Sequence, residues 1–194
     1  MAKSEICCNK ARLYLTFRYH SKNLALSKFL EMKKMLIIIA SFLFVKNGSA
    51  QTDSSLLYLR FPTVPPFTIT KVSDSTKFTK EDLSKRKSTI IIVFSPDCEH
   101  CQYETKELTA NIKLFKKAQI IMASPLEHHI LKKFYDEYKI ADYPNIIMGR
   151  DPSYFFGTFY HVRSFPAIFV YDKKGNYVNT FDGSVPVQKI AEIL

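Results

Sequence analysis

The stretch Ser88-Thr89-Ile90-Ile91-Ile92-Val93-Phe94-Ser95-Pro96-Asp97-Cys98-Glu99-His100-Cys101 decides the fold. Its first seven residues form an uninterrupted β-prone run, the pattern of a central strand covered on both faces. Pro96 ends it. From Cys98 the spacing turns helical, with Leu108, Ile112 and Phe115 on one stripe and Lys or Glu between them. Two thiols three residues apart therefore stand where a strand gives way to a helix. Two cysteines placed at random in the chain after residue 50 would be spaced this way roughly once in 70 trials. A thiol at a helix N-terminus faces unpaired N–H groups and the positive end of the helix dipole, and both stabilise a thiolate. Such a pair suits disulfide exchange, with Cys98 as the outer attacking thiol and Cys101, one turn on, as the shielded resolving thiol. Protonated His100 would lower the pKa of Cys98, whereas Glu99 and Asp97 would raise it, so charge counting leaves the redox poise open.

Outward from this junction the chain reads as alternating elements. Phe67-Thr68-Ile69-Thr70 and Lys77-Phe78-Thr79 look like hairpin arms around Ser73-Asp74-Ser75, and Thr79 with Asp82 gives a capping-box signal. Ile120-Ile121-Met122-Ala123 is a second buried strand. Ser124-Pro125 reads as N-cap and first-turn proline of a helix with Leu126, Ile130, Phe134 and Tyr138 on its apolar stripe. After an aromatic-rich connection, Ala167–Tyr171 and Tyr177–Phe181 pair around the turn Asp172-Lys173-Lys174-Gly175-Asn176. Ser184 and Pro186 then open a last helix to Leu194. The order β, α, β, α, β, β, α predicts an α/β domain, one mixed central β-sheet flanked by helices on both faces, with an N-terminal hairpin lead-in.

Composition bounds the rest. The 194 residues carry 28 Lys+Arg, 18 Asp+Glu and four Cys, for a formal charge of +10. Four cysteines are too few for a disulfide scaffold of this length, and five Gly with nine Pro exclude a collagenous or linker-like chain. Residues 1–50 hold nine Lys/Arg and two Asp/Glu (+7), leaving 19 − 16 = +3 for residues 51–194. The basicity belongs to the first quarter, so no nucleic-acid partner is implied.

That quarter reads as an address. Met32-Lys33-Lys34, the apolar run Met35–Val45 and the small polar exit Asn47-Gly48-Ser49-Ala50 are the three parts of a signal peptide over about 32–50, cleaved after Ala50. The run is shorter than the roughly 20 residues of a membrane span. Residues 1–31 are too long for an n-region, and translation from Met32 accounts for them, a long natural n-region or an uncleaved anchor being the alternatives. The organisation is thus leader 1–50, lead-in 51–64 with Pro62 at its end, and a globular domain over 65–194. Cys7 and Cys8 then leave with the leader.

Over about 65–194 the sequence resembles the thioredoxin superfamily, and within it the exported TlpA/ResA-like thiol-disulfide oxidoreductases. Phe94–Cys101, Val162-Arg163-Ser164-Phe165-Pro166 and the Asp172–Asn176 hairpin carry the resemblance. It implies that Pro166 is cis and lies against the cysteine pair, and that Phe165 offers its backbone to substrate like an added strand. It implies net reduction of exported, disulfide- or thiol-containing proteins in the periplasm by a monomer, sustained by a membrane thiol electron donor. No cofactor beyond the Cys98–Cys101 disulfide and no metal are expected. In thioredoxin a buried Asp on the strand before the cysteines relays protons; here that position is Ile92, with Glu104 as a substitute. The usual Trp before the first cysteine is Asp97.

Several alternatives stand beside this. The pair could be a structural disulfide, or serve a disulfide oxidase or isomerase, encouraged by His100. The domain could also be a non-catalytic binding module using Tyr154, Phe155, Phe156, Phe159 and Tyr160, although core packing explains these equally well. Three ligands as close as Cys98, His100 and Cys101 do not converge easily on one ion. A peroxidatic site would have its hydroxyl at Ser95 but lacks the proline at Ile91. His128 and His129 are expected in solvent, His161 at the surface, and Lys85-Arg86-Lys87 in a solvated turn.

Overall fold

The computed structural model describes residues 56–194. The chain passes through α1 (Leu57–Arg60), β1 (Thr68–Lys71), β2 (Lys77–Thr79), β3 (Ser88–Val93), α2 (Glu99–Ala110), β4 (Ala118–Ser124), α3 (His128–Glu137), β5 (Ile146–Arg150), α4 (Phe155–Tyr160), β6 (Ala167–Tyr171), β7 (Tyr177–Asp182) and α5 (Val187–Ala191). Its strands form one mixed sheet in the order β2-β1-β5-β4-β3-β6-β7. β3, β4 and β5 are parallel, while β6 runs antiparallel to β3 with Val93 opposite Ala167 and Thr89 opposite Tyr171.

The apolar run at Ser88–Val93 is buried at every position because both faces of β3 are covered. Alternate side chains serve two cores. Ile90 and Ile92 pack with Leu108, Phe134 and Ile190, under α2, α3 and α5, whereas Ile91 and Val93 pack with Tyr58, Phe156, Tyr160 and Phe169, under α1 and α4. Each fully buried side chain of this size contributes roughly 1.5–3 kcal/mol. A polar residue at either parity of β3 would therefore weaken the fold.

The hairpin turn forms as its residues dictate. The Asp172 carboxylate accepts the N–H groups of Lys174 and Asn176 at 2.8 Å each, and Gly175 takes the left-handed φ of 82°. The capping box between Thr79 and Asp82 is also present. In the lead-in, Thr63 bridges to Asn176, and Tyr58 and Val64 are buried in the second core.

Four expectations are corrected. The connection before β6 contains a strand, β5, paired with β4 from Ile120–Ile146 to Ser124–Arg150. Its apolar run is cut short by Gly149, where a Cβ would lie 2.6 Å from Ile69 Cδ1 of the neighbouring β1. The following helix starts at His128, since Ser124 stays in β4; Leu131 and Phe134 are its buried residues, with Leu126, Ile130 and Tyr138 only half-buried. α2 stops at Ala110, where Asn111 Nδ2 donates to the Glu107 carbonyl at 2.9 Å, and a separate 3-10 turn brings Phe115 into the core. The last helix spans only Val187–Ala191. The signal peptide and the upstream residues lie outside the described residues. Among the described residues no helix is long and apolar enough to cross a membrane.

Candidate functional site

Val93 and Ala167 are register partners, so the loop leaving β3 and the loop entering β6 meet at one end of the sheet. Cys98 occupies the N-cap of α2 in an extended conformation, φ −86° and ψ 115°. Its N–H donates to the Ser95 carbonyl at 3.1 Å, and its carbonyl accepts the Gln102 N–H at 3.0 Å. Gln102 Nε2 donates to the Pro96 carbonyl at 2.8 Å, tying the turn before Cys98 to the first turn of the helix. The backbone leaves this thiol little freedom.

Cys98 Sγ accepts the Cys101 N–H at 3.3 Å, as an N-cap side chain does. The thiol in turn donates to the Phe165 carbonyl at 3.5 Å. The Phe165–Pro166 peptide bond is cis, Pro166 is buried, and its carbonyl accepts the Gly183 N–H at 2.8 Å. Phe165, Pro166, Cys98 and Cys101 are thus brought together from segments 67 residues apart. Both cysteines are free thiols. Cys98 is half-buried, whereas Cys101 is 1% exposed. Burial, and then its interaction with Cys98, push the Cys101 thiol well above the usual thiol range.

Asp97, Glu99 and His100 are all exposed around the start of α2, and none bonds to either thiol among the described residues. The acid facing inward is Glu104, one helical turn beyond Cys101 and 2% exposed. Its Oε2 accepts Ser184 Oγ at 2.7 Å and the Val185 N–H at 3.0 Å. Its Oε1 is buried without a partner. Burial raises its pKa, opposed by those two hydrogen bonds. Ile92 is packed in the first core and has no proton to offer. Sequence reasoning missed Ser184 and Val185, which lie 80 and 81 residues from Glu104 and carry no local signal of the contact.

The remaining candidates fall elsewhere. His129 is exposed, but His128 is half-buried with Nε2 3.5 Å from Ser75 Oγ, correcting the expectation of solvent; the β1–β2 turn packs over the start of α3. His161 is at the surface, its ring 2.9 Å from the Arg163 guanidinium. Phe156 and Tyr160 are buried and Phe155 and Phe159 half-buried, so most of that aromatic group is core. Among the described residues no three His, Cys, Asp or Glu side chains are grouped to hold a metal ion.

The sheet order, the cysteine pair at a helix start and the adjoining proline loop define a thioredoxin-like domain. A family model of the thioredoxin-like domain matches residues 78–194, more than half of the chain, and the protein belongs to that family. No curated protein matches the sequence. Solved structures with the same fold include a secreted Mycobacterium tuberculosis disulfide oxidoreductase described as homologous to E. coli DsbE. It is 19% identical, with a TM-score of 0.54 over 65% of this chain and 92% of that one. The exposed lipoprotein thioredoxin Etrx1 of Streptococcus pneumoniae is 22% identical, with a TM-score of 0.51 over 67% of this chain and 100% of that one. The peroxidoxin BcpB of M. tuberculosis is 14% identical, with a TM-score of 0.58 over 68% of this chain and 92% of that one. At these identities the likeness is one of fold.

Proposed function

We propose that the protein is an exported thiol-disulfide oxidoreductase that reduces protein disulfides. The observation that carries this is the half-buried Cys98 thiol, held on the Phe165 carbonyl with the buried Cys101 one turn behind it. The Cys98 thiolate attacks one sulfur of a substrate disulfide; the Cys98–substrate S–S bond forms as the substrate S–S bond breaks and one substrate thiolate leaves. Cys101, deprotonated, then attacks Cys98 Sγ. The Cys98–Cys101 bond forms and the second substrate thiolate departs. Two electrons pass to the substrate, whose thiolates are protonated, and the domain is left oxidised. A membrane thiol donor returns the electrons.

Three groups assist. Glu104 accepts the Cys101 proton, its pKa raised toward that task by burial and its Oε1 left without another partner. The Phe165 N–H has no backbone partner among the described residues, so the Phe165 backbone can take a substrate segment as an added strand. The exposed charges of Asp97, Glu99 and His100 tune Cys98 through solvent. Export to the periplasm is supported by the basic, apolar and small-residue order of residues 32–50.

The test is dithiol-driven insulin reduction. Cys98→Ser is expected to bring the rate to background; retention of the parent rate would refute the mechanism.

A further inference from the structure

The end of the sheet opposite the dithiol carries a feature that redox chemistry does not use. β3 begins there at Ser88 beside Ala118 of β4, and β6 ends there at Tyr171 opposite Thr89. The six residues of β3 place it roughly 20 Å from the other end of the sheet, at about 3.3 Å per residue.

The loops that meet at this end carry Lys80, Lys85, Arg86 and Lys87 before β3, Lys116 and Lys117 before β4, and Lys173 and Lys174 after β6. Against these eight cations stand three acids, Glu81, Asp82 and Asp172. Asp82 is engaged in the capping box with Thr79, and Asp172 in three hydrogen bonds within its own turn. None of the eight cations has an ion-pair partner among the described residues. Elsewhere in residues 56–194, eleven Lys/Arg face twelve Asp/Glu. The positive charge of the domain is therefore concentrated at this end. A cleft of about 530 Å³ opens there, with Val64, Lys80, Lys85, Lys87, Lys173 and Lys174 in its walls.

Apolar side chains border the same place. The Tyr177 N–H donates to the Pro62 carbonyl at 2.8 Å and Thr63 bridges to Asn176, which sets Phe61 and Val178 beside the β6–β7 turn. Phe61 is 53% exposed and Val178 42%. Exposed aromatic and aliphatic groups next to unpaired lysines are the chemistry of a membrane interface, where cations meet headgroup phosphates and apolar groups enter the acyl boundary.

We infer that this end of the domain binds the surface of an anionic phospholipid bilayer, its lysines on headgroup phosphates and Phe61 in the interface, so that the dithiol faces away from the membrane. The dithiol then stands about 20 Å from the bound face, so the membrane thiol donor of the proposed cycle must reach it through a part that stands clear of the bilayer. Soluble polyanions are the competing occupants.

The chain from Gln51 onward, as it stands after cleavage of the leader, is mixed with vesicles of phosphatidylcholine alone and of phosphatidylcholine with phosphatidylglycerol. Partitioning is expected to be at least about tenfold stronger on the anionic vesicles, and to be lost at roughly 0.5 M salt and in a Lys85→Glu/Lys87→Glu/Lys173→Glu/Lys174→Glu variant that still reduces insulin. The chain has no Trp, so a single substitution reports position. Phe61→Trp emission shifts to the blue on anionic vesicles, whereas a Trp at the exposed Tyr103 of α2, beside the dithiol, does not shift. The inference is overturned if the charge-reversal variant partitions like its parent, if the Tyr103→Trp probe shifts instead, or if duplex DNA of equal phosphate content strips the protein from the vesicles.

Discussion

Cys98 and Cys101 are one helical turn apart and differ chiefly in surroundings: one thiol is half-buried on a carbonyl, the other nearly sealed beneath it. In the proposed mechanism that asymmetry gives attack to the first and resolution to the second, and burial makes the resolving proton costly to remove. Glu104, buried one turn beyond Cys101, is the base the proposed mechanism uses for it. Glu104→Gln is expected to slow resolution of the mixed disulfide by roughly a hundredfold, the lower end for a lost general base, and to flatten the pH dependence of that step. A purely structural role would lower the rate without moving the pH profile. Stability gives an independent sign. Because the folded-state pKa of Glu104 is raised, its contribution is fully present below the unfolded carboxyl value near 4.3 and is lost as pH rises through the higher folded value. Urea unfolding over that window should show the wild type losing stability relative to Glu104→Gln.

At the scale of elements, α4 is fixed to β6 by aromatic packing. Tyr160 stacks on Phe169 with ring centroids 3.7 Å apart, and its hydroxyl lies 2.7 Å from that of Tyr171, both buried. Tyr160→Phe should destabilise the domain by about 1–3 kcal/mol by leaving the Tyr171 hydroxyl alone, while the added Tyr171→Phe recovers most of that loss. Thermal unfolding of both single variants and the double variant checks it. The elements legible in the sequence were those with local signals: the β-branched run, the Cys98–Cys101 spacing, and the Asp172 to Gly175 turn. β5 was obscured because Gly149 breaks its pattern, and Gly149 is there to admit Ile69 of another strand. Ser124 looked like a helix cap but continues β4, a choice made by pairing with Arg150 rather than by its neighbours. The anchors of Glu104 were hidden for the same reason, since only tertiary folding brings Ser184 and Val185 to it.

For the molecule as a whole, the two cores hold β3 and β6 in register, and that register sets the distance between the dithiol and the proline loop. The proposed direction, net reduction, is tested by linkage between the disulfide and the fold. The reduced form gains little from a Cys101 thiolate, because burial disfavours that charge. The oxidised form should accordingly unfold at the higher temperature, as scanning calorimetry of both forms will show; the reverse order marks an oxidant. The central claim is that Cys98 attacks and Cys101 resolves, and the most direct test is peptide mapping by mass spectrometry of the Cys101→Ser protein after exposure to a disulfide-bonded substrate. A stable mixed disulfide on Cys98 is predicted; an unmodified Cys98 would contradict the account.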